Sequence, residues 1–432
     1  MSISQTPTHN VKAVLKETGL TEHTLRAWER RYGMPMPQRS AGGHRLYSQR
    51  DIESIKWLIA RQAEGLSISN AVEMWKEQIA TGADPLAGIA PTSLSRPIAS
   101  ASDNNLDSIR SEWLNACLTF NESEAEQILN QAFALFPIEA VCAEVLQRAL
   151  SEIGTQWHEN KTSVQQEHFA SALAMRRLDA LVSAAPAPTR EPAIVIGCPA
   201  GEWHTFAPLL LCLLLRRRGL HVIYLGANVP AEQFEETVQA AKADLVVLVV
   251  QQLTTAATLQ AIAHILHRHK IRVGFGGRIF NIQPKLIHRI SGNFLGASLD
   301  SAADEIESLL NETARSPRTE AIGETLIAAA SYFQSRRSQI EATLYESIHR
   351  LNLSPDLINI ATEFLGDNIL AALRLGDIKL VDREIDWVRD LLKWNHMPEQ
   401  ALSGYLNLYA DAVTTNINGA GGPITEWLNK YK

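Results

Sequence analysis

The sequence predicts a multidomain α and α/β protein: paired short helices with a β wing, then a four-helix bundle, a doubly wound parallel sheet and an all-helical tail. Three observations predict it. Excess positive charge is confined to the first fifty residues, apolar residues recur at helical spacing from 106 to 184, and four β-branched runs then alternate with helix-length segments. At 432 residues the chain is too long for one core and has room for three or four domains. Its 46% hydrophobic and 20% charged residues suit a soluble globular chain. No apolar run approaches the ~18 residues of a membrane span, because "LLLCLLL" stops at Arg216-Arg217-Arg218. The opening "MSISQTPTHN" has no charged-then-apolar leader, so the expectation is a cytoplasmic protein with no membrane partner. Cys117, Cys142, Cys198 and Cys212 lack CxxC or zinc spacing and read as small buried hydrophobes in a reducing compartment.

Residues 1–50 carry eight lysines and arginines against three glutamates, a surplus of five, so the rest of a chain of net charge −7 is −12. A basic head on an acidic body points to a polyanion partner for the head alone. "NVKAVLKETGLTEHTLRAWERRYG" reads as two short helices: Val11, Val14 and Leu15 line the first, Gly19 closes it, and Thr21 with Thr24 opens the second with Leu25 and Trp28 inward. Arg26, Arg30 and Arg31 then face solvent on a helix that fits a major groove. Pro35 and Pro37 forbid helix, Gly42-Gly43 permits a hairpin tip, and "HRLYS" returns as the strand of a wing. Two more helices follow, from Asp51 to about Ala63 and from Ser67 to about Gln78.

The run "TLRAWERRYGMPMPQRSAGGHRLYSQRDI" closely resembles the MerR-type winged helix-turn-helix domain over about residues 8–80. That resemblance implies a double-stranded DNA operator as partner, touched by Thr24, Arg26 and Arg30 on the recognition helix and by His44, Arg45 and Tyr47 in the wing, with Trp28 and Leu46 in the small core. The expected division is 1–80 for this domain and 81–105 for a Pro, Ala, Ser and Gly-rich linker. A four-helix bundle over 106–188, a Rossmann-like domain over 189–315 and a helical domain over 317–432 complete it.

In the bundle, Asn121 with Glu124 has capping-box spacing, Pro137 starts a third helix that ends at Trp157-His158, and "VQQEHFASALAMRRLDAL" forms the fourth. Beyond "SAAPAPTREP" the runs "AIVIGC", "HVIYLG", "DLVVLVV" and "RVGFGG" alternate with helices, the signature of a parallel sheet covered on both faces. Ligands of such sheets sit at the strands' carboxyl ends. Three clusters fall there: Cys198 to Ala207, Gln251-Gln252-Leu253, and Gly276-Gly277. The first loop has only Gly201 and is a poor phosphate cradle; His204, with Glu202 two residues before it, reads instead as a metal ligand whose ring a carboxylate orients.

These positions resemble the cobalamin-binding domain, whose motif Asp-x-His-x-x-Gly is followed by Ser-x-Leu and then Gly-Gly. Here they read Glu202-Trp203-His204-Thr205-Phe206-Ala207, Gln251-Gln252-Leu253 and Gly276-Gly277, with Glu202, Ala207 and Gln251 replacing Asp, Gly and Ser. The resemblance implies His204 as the lower cobalt ligand, with the cofactor's displaced nucleotide tail beside Gln251, Leu253 and the Gly-Gly turn. Light-responsive cobalamin regulators related to MerR carry a Trp, nine residues, then Glu-His on the bundle that caps the upper face. Trp157, Val164, Glu167 and His168 match that spacing.

The similarity implies a transcriptional regulator, expected as a repressor and not an enzyme, that holds adenosylcobalamin between bundle and sheet, self-associates as a dimer or tetramer, and changes assembly and DNA affinity when light cleaves the cobalt–carbon bond. His168 is then a candidate upper ligand. Other classes stay open: a B12-independent regulator controlled by partner proteins, or a cobalamin methyl-transfer module, against which the chain offers no substrate barrel or zinc-thiolate set. Residues 317–432 read as four or five amphipathic helices packed on themselves, with Trp387, Trp394, His396, Tyr405 and Tyr409 as core and interface residues. Oligomerisation is one expected role and a second chromophore such as biliverdin the other. No cysteine lies beyond Cys212, so a bilin held there would be non-covalent.

Overall fold

The computed structural model describes residues 4, 6–18, 20–39, 43, 45–63, 68–80, 84–86, 104–311, 319–347, 351, 353–417 and 421–431. The chain divides into two compact units, residues 1–101 and 102–432.

In the first unit, β1 (Pro7–Asn10) leads into α1 (Val11–Thr18) and α2 (Glu22–Tyr32). α2 starts where the Thr21 side chain accepts the Thr24 amide, and it stops at Gly33, whose φ of 69° ends a helix without strain on a Cβ. β2 (Gln38–Arg39) and β3 (Arg45–Ser48) pair antiparallel as the wing, and β1 joins the other edge of β3, a third strand the sequence did not announce. α3 (Gln49–Ala63) and α4 (Ile68–Ala80) close the unit over a core of Val14, Leu25, Trp28, Ile52, Leu58 and Trp75. Leu86 reaches that core and Asp84 pairs with Arg50, so three residues of the expected linker belong to the head. Most of the expected linker lies outside the described residues, as do Gly19, Gly42 and His44.

The second unit opens with the bundle: α5 (Asn104–Leu118), α6 (Glu122–Leu135), a long helix made of α7 (Ile138–Ala140), a π-helical segment Val141–Gln147 and α8 (Arg148–His158), and α9 (Val164–Ser183). Asn121 caps α6, and Ser163 with Gln166 forms a reciprocal capping box on α9. In the π segment Val141, Cys142, Val145 and Leu146 are all buried, so the wider turn sets adjacent apolar pairs on one side.

The sheet then runs β4 (Ala193–Pro199), α10 (Phe206–Arg217), β5 (His221–Val229), α11 (Phe234–Ala241), β6 (Ala243–Val249), α12 (Leu253–Arg268), β7 (Val273–Gly276), α13 (Arg278–Ile282), β8 (Asn293–Phe294) and α14 (Leu299–Asn311). All pairs are parallel, in the order β5-β4-β6-β7-β8. The chain leaves β4 toward one edge and β6 toward the other, so the loops after these two strands part and open a crevice at their carboxyl ends. α10 is apolar all round because sheet and bundle enclose it: residues 208–215 are all buried.

Five helices follow, α15 (Glu324–Ser347), α16 (Pro355–Arg374), α17 (Asp382–Trp394), α18 (Glu399–Asn416) and α19 (Gly422–Asn429). They do not pack only on themselves. Phe333, Leu365, Ile369 and Tyr409 share one core with Val246, Ile262 and Phe275, and α16 packs on α12, the helix over the sheet face opposite the bundle. Among the described residues no helix is long and apolar enough to cross a membrane.

Candidate functional site

The recognition surface of the first unit is α2 with the wing. Arg26, Arg30 and Arg31 are exposed, Arg26 pairing with Glu22 one turn back. Thr24 is half-buried and its hydroxyl bonds that of Thr21 at 2.8 Å. Glu29 joins helix to wing: one carboxylate oxygen accepts the Tyr47 hydroxyl at 2.5 Å and the other the Arg45 Nε at 3.1 Å. Tyr47, expected at the DNA, lies instead in the core, its ring 1% exposed and its hydroxyl given to Glu29. Leu46, expected in the core, is the half-buried neighbour.

In the second unit the loop between β4 and α10 lies at the crevice. Glu202 is 1% exposed. Its Oε1 accepts the His204 amide at 3.0 Å and His204 Nδ1 at 2.6 Å; its Oε2 accepts the Gln251 amide at 2.7 Å and the Thr255 hydroxyl at 2.8 Å. Burial alone would raise this carboxyl, but those four donors outweigh it and hold it below the usual range. The same bond raises His204 above its ordinary value, against burial. Nδ1 is thereby committed to Glu202, and Nε2 is left as the outward donor atom on a ring 59% exposed. The Glu202 carboxylate thus ties the loop after β4 to the loop after β6 and to α12.

Asn228, at the end of β5 with φ 53°, pins the loop from the other side: its Oδ1 accepts the Gly201 amide at 2.9 Å and its own amide donates to the Glu202 carbonyl at 3.0 Å. Sequence reading missed Asn228 and Thr255, which stand 26 and 53 residues from Glu202 and carry no local signal.

Gly277 has φ 125°, and a Cβ there would run into the Val250 carbonyl, so only glycine fits. Gly276 is buried, yet a Cβ on it would meet nothing within 4 Å, which leaves a slot that a side chain would fill. Gln251 bridges the strand ends, its Oε1 accepting the Arg278 amide at 3.0 Å. Leu253 is buried at the start of α12.

The bundle supplies the opposite wall. Met175 sulfur meets the Thr205 hydroxyl at 4.0 Å, the Glu167 charge reaches His204, and Ser171 donates to Glu167 at 2.7 Å. Val164, Glu167, Ser171 and Met175 recur at three- and four-residue spacing and so share the face of α9 turned to the loop. At 1.5 Å rise per residue that stripe is about 16 Å long. Glu167 also holds His168 through Nδ1 at 2.6 Å, leaving that ring largely in solvent. Trp157, Val164 and Trp203, the last 68% exposed, are large apolar side chains without a buried place.

Among the described residues no group of three or more His, Cys, Asp or Glu gathers as a metal site. The four cysteines are buried, with thiols pushed up by burial to about 12 at Cys117, Cys142 and Cys198 and about 11 at Cys212, as expected of small buried hydrophobes. One oriented imidazole suits a metal whose other ligands come with its own macrocycle. The donor atom, the slot at Gly276 and the exposed apolar wall fit a cobalamin.

Comparison with known proteins agrees. Residues 10–78 match the MerR HTH family regulatory protein model, and residues 109–182 and 192–297 match two B12 binding domain models. This is a DNA-binding regulator built on B12-binding domains. The chain is 32% identical over 245 residues to the HTH-type transcriptional repressor CarA of Myxococcus xanthus, covering 56% of this chain and 76% of that protein. It is 30% identical over 239 residues to CarH of the same organism, covering 55% and 77%. It belongs to the family of MerR-type, B12-binding transcriptional regulators that includes CarA and CarH. In structure it resembles the Methanosarcina barkeri monomethylamine corrinoid protein, at TM-score 0.41 and 16% identity, over 48% of this chain and all of that one.

Proposed function

We propose that this chain is a light-dependent transcriptional repressor, not an enzyme, that holds adenosylcobalamin between bundle and sheet and binds operator DNA as a homo-oligomer through residues 1–80. The observation that carries it is the carboxylate–imidazole pair of Glu202 and His204 at the sheet's switch point, with Nδ1 engaged and Nε2 facing out. When bound, the cofactor supplies cobalt and a light-labile cobalt–carbon bond. His204 Nε2 would bind the metal, Gly276 and Gly277 would keep a slot clear beside Gln251 and Leu253 for the cofactor's nucleotide tail, and Trp157, Val164 and Glu167 would line the bundle side. Trp203 would screen the loop, and His168 would be a second candidate imidazole ligand on the bundle side. The division of the chain in this reading is a head to about 86, a linker to about 103, the bundle to 188, the corrin-binding sheet to 315 and the tail from 317. Thr24, Arg26, Arg30, His44 and Arg45 are the DNA-contacting set.

The test is reconstitution of the full chain with adenosylcobalamin in the dark, read by absorption, gel filtration and operator gel shift before and after green light. The expected result is a retained corrin spectrum that changes on illumination together with assembly size and DNA binding, all lost in His204→Ala. A retained spectrum with unchanged assembly and DNA binding would refute the switch. A parallel incubation with biliverdin tests the second chromophore: a red band surviving gel filtration is expected if the tail hosts one, and its absence leaves the tail a structural and assembly role.

A further inference from the structure

α17 is an anomaly of the tail. Ile385 is its one buried residue, so the helix contributes little to the core that the other tail helices build. Its larger side chains reach elsewhere. The Trp387 ring lies 5.3 Å from that of His158 with planes 19° apart, a stacked pair, and Phe364 of α16 backs it at 6.0 Å. His158 is the last residue of α8 and the neighbour of Trp157, and its Nδ1 is buried without a hydrogen-bond partner in the structure.

One turn before Trp387, on the same face, stands Glu384. Burial raises its carboxyl above the usual range, with the Arg278 and Arg383 charges pulling the other way. Arg278 begins α13 immediately after Gly276-Gly277, is tied by its amide to Gln251, and its charge also reaches His204. One face of α17 thus stacks on the bundle tip through Trp387 and lies within electrostatic reach of the carboxyl end of the sheet through Glu384. The helix is anchored to the sheet side, where Gln283 of the α13 segment donates to the Leu380 carbonyl at 3.3 Å.

We infer that α17 is a further wall of the cofactor cleft, with Trp387 a positioning residue that fixes the α8 end bearing Trp157 and Glu384 with Arg278 a polar rim for the ligand's edge. This rests on the cobalamin reading above. The chemistry suits it: a corrin is edged with neutral carboxamides, which donate to a carboxylate and accept from a guanidinium, and a half-buried Glu-Arg rim offers both. It also gives the tail a role in the cleft itself.

The experiment is equilibrium dialysis of the full chain against hydroxocobalamin in the dark, with the thermal midpoint of the cofactor-free protein measured alongside. Trp387→Ala and Glu384→Ala are each expected to raise the dissociation constant about three- to tenfold, the scale of one aromatic or hydrogen-bonded contact. Trp387→Phe, which keeps a ring to stack, should restore near-wild-type binding, and the cofactor-free midpoint of Glu384→Ala should match wild type. Wild-type binding in both alanine variants overturns the wall while leaving the cleft intact. Equal weakening by Trp387→Ala and Trp387→Phe overturns the stacking role. If Trp387→Ala fails to fold, Trp387→Phe and Glu384→Ala decide. If wild type itself takes up no cobalamin and His204→Ala is no different, the cleft reading falls and the wall falls with it.

Discussion

Two glutamates hold the two recognition surfaces of this chain, and they hold different things. Glu29 clamps two side chains, Arg45 and Tyr47, one to each carboxylate oxygen, and its own side chain stays 11% exposed. Glu202 accepts from four donors, two of them backbone amides from separate loops, and is sealed from water. The first device sets where side chains of the wing point. The second fixes the course of the backbone at a strand end, so the ring of His204 and the loop that carries it are one construction.

The largest effect should follow from breaking the second. Glu202→Ala leaves the Gln251 and His204 amides without their acceptor, a loss of about 1–3 kcal/mol for each buried donor. Urea denaturation of the full chain should register that loss. His204→Ala is the comparison: it removes one exposed ring from the four donors and keeps the carboxylate with the other three, so it should cost less than Glu202→Ala. A Glu202→Ala protein as stable as His204→Ala would show that the loop holds itself without the carboxylate.

Glu29→Ala should sit next. It leaves the buried Tyr47 hydroxyl without an acceptor, a loss of about 1–3 kcal/mol in thermal unfolding of the head. It also frees Arg45 from its partner, so operator affinity should change through the wing while the α2 arginines keep theirs. Arg30→Ala separates the two contributions: as a phosphate contact it should weaken all DNA sequences alike and lower the salt-dependence slope by about one. A base-specific loss from Arg30→Ala would instead place that residue in the groove.

The same contrast decides what was legible in the sequence. Helix ends with local chemistry were readable: Thr21 with Thr24 and Asn121 with Glu124 cap helices as their side chains require. The parallel sheet was readable because its buried strands are continuous apolar runs, and the Glu202–His204 pair because its partners stand two residues apart. Tyr47 was misplaced because "RLYS" sets two apolar residues side by side, and a period of two cannot say which faces in. The strand Pro7–Asn10 and the two-residue β8 are too short to show a pattern. Thr255, Asn228 and α17 come to the site only through the fold, and so their helical or strand sequence gave no hint of it. The tail looked self-contained because amphipathic spacing is satisfied equally by its own helices or by a helix of another domain such as α12.

Asp382 gives the smallest effect and a third point for the comparison. Its Oδ1 accepts the Trp427 indole at 2.6 Å, the Tyr431 hydroxyl at 2.9 Å and the Lys430 ammonium, all side-chain donors as at Glu29, but with the carboxylate 36% exposed. Burial would raise this carboxyl, and the bonds from Lys430, Trp427 and Tyr431 outweigh it and hold it below the usual range. A carboxyl lowered on folding stabilises above its unfolded pKa, about 3.9, and that contribution is lost as the pH falls through the lower folded value. Water screens much of it, so Asp382→Asn should cost about 1 kcal/mol at neutral pH. The difference in unfolding midpoint between variant and wild type should then shrink as the pH is taken below about 4. If the gap widens on acidification instead, Asp382 acts as a neutral acceptor, and exposure would no longer rank the three carboxylates by what they hold.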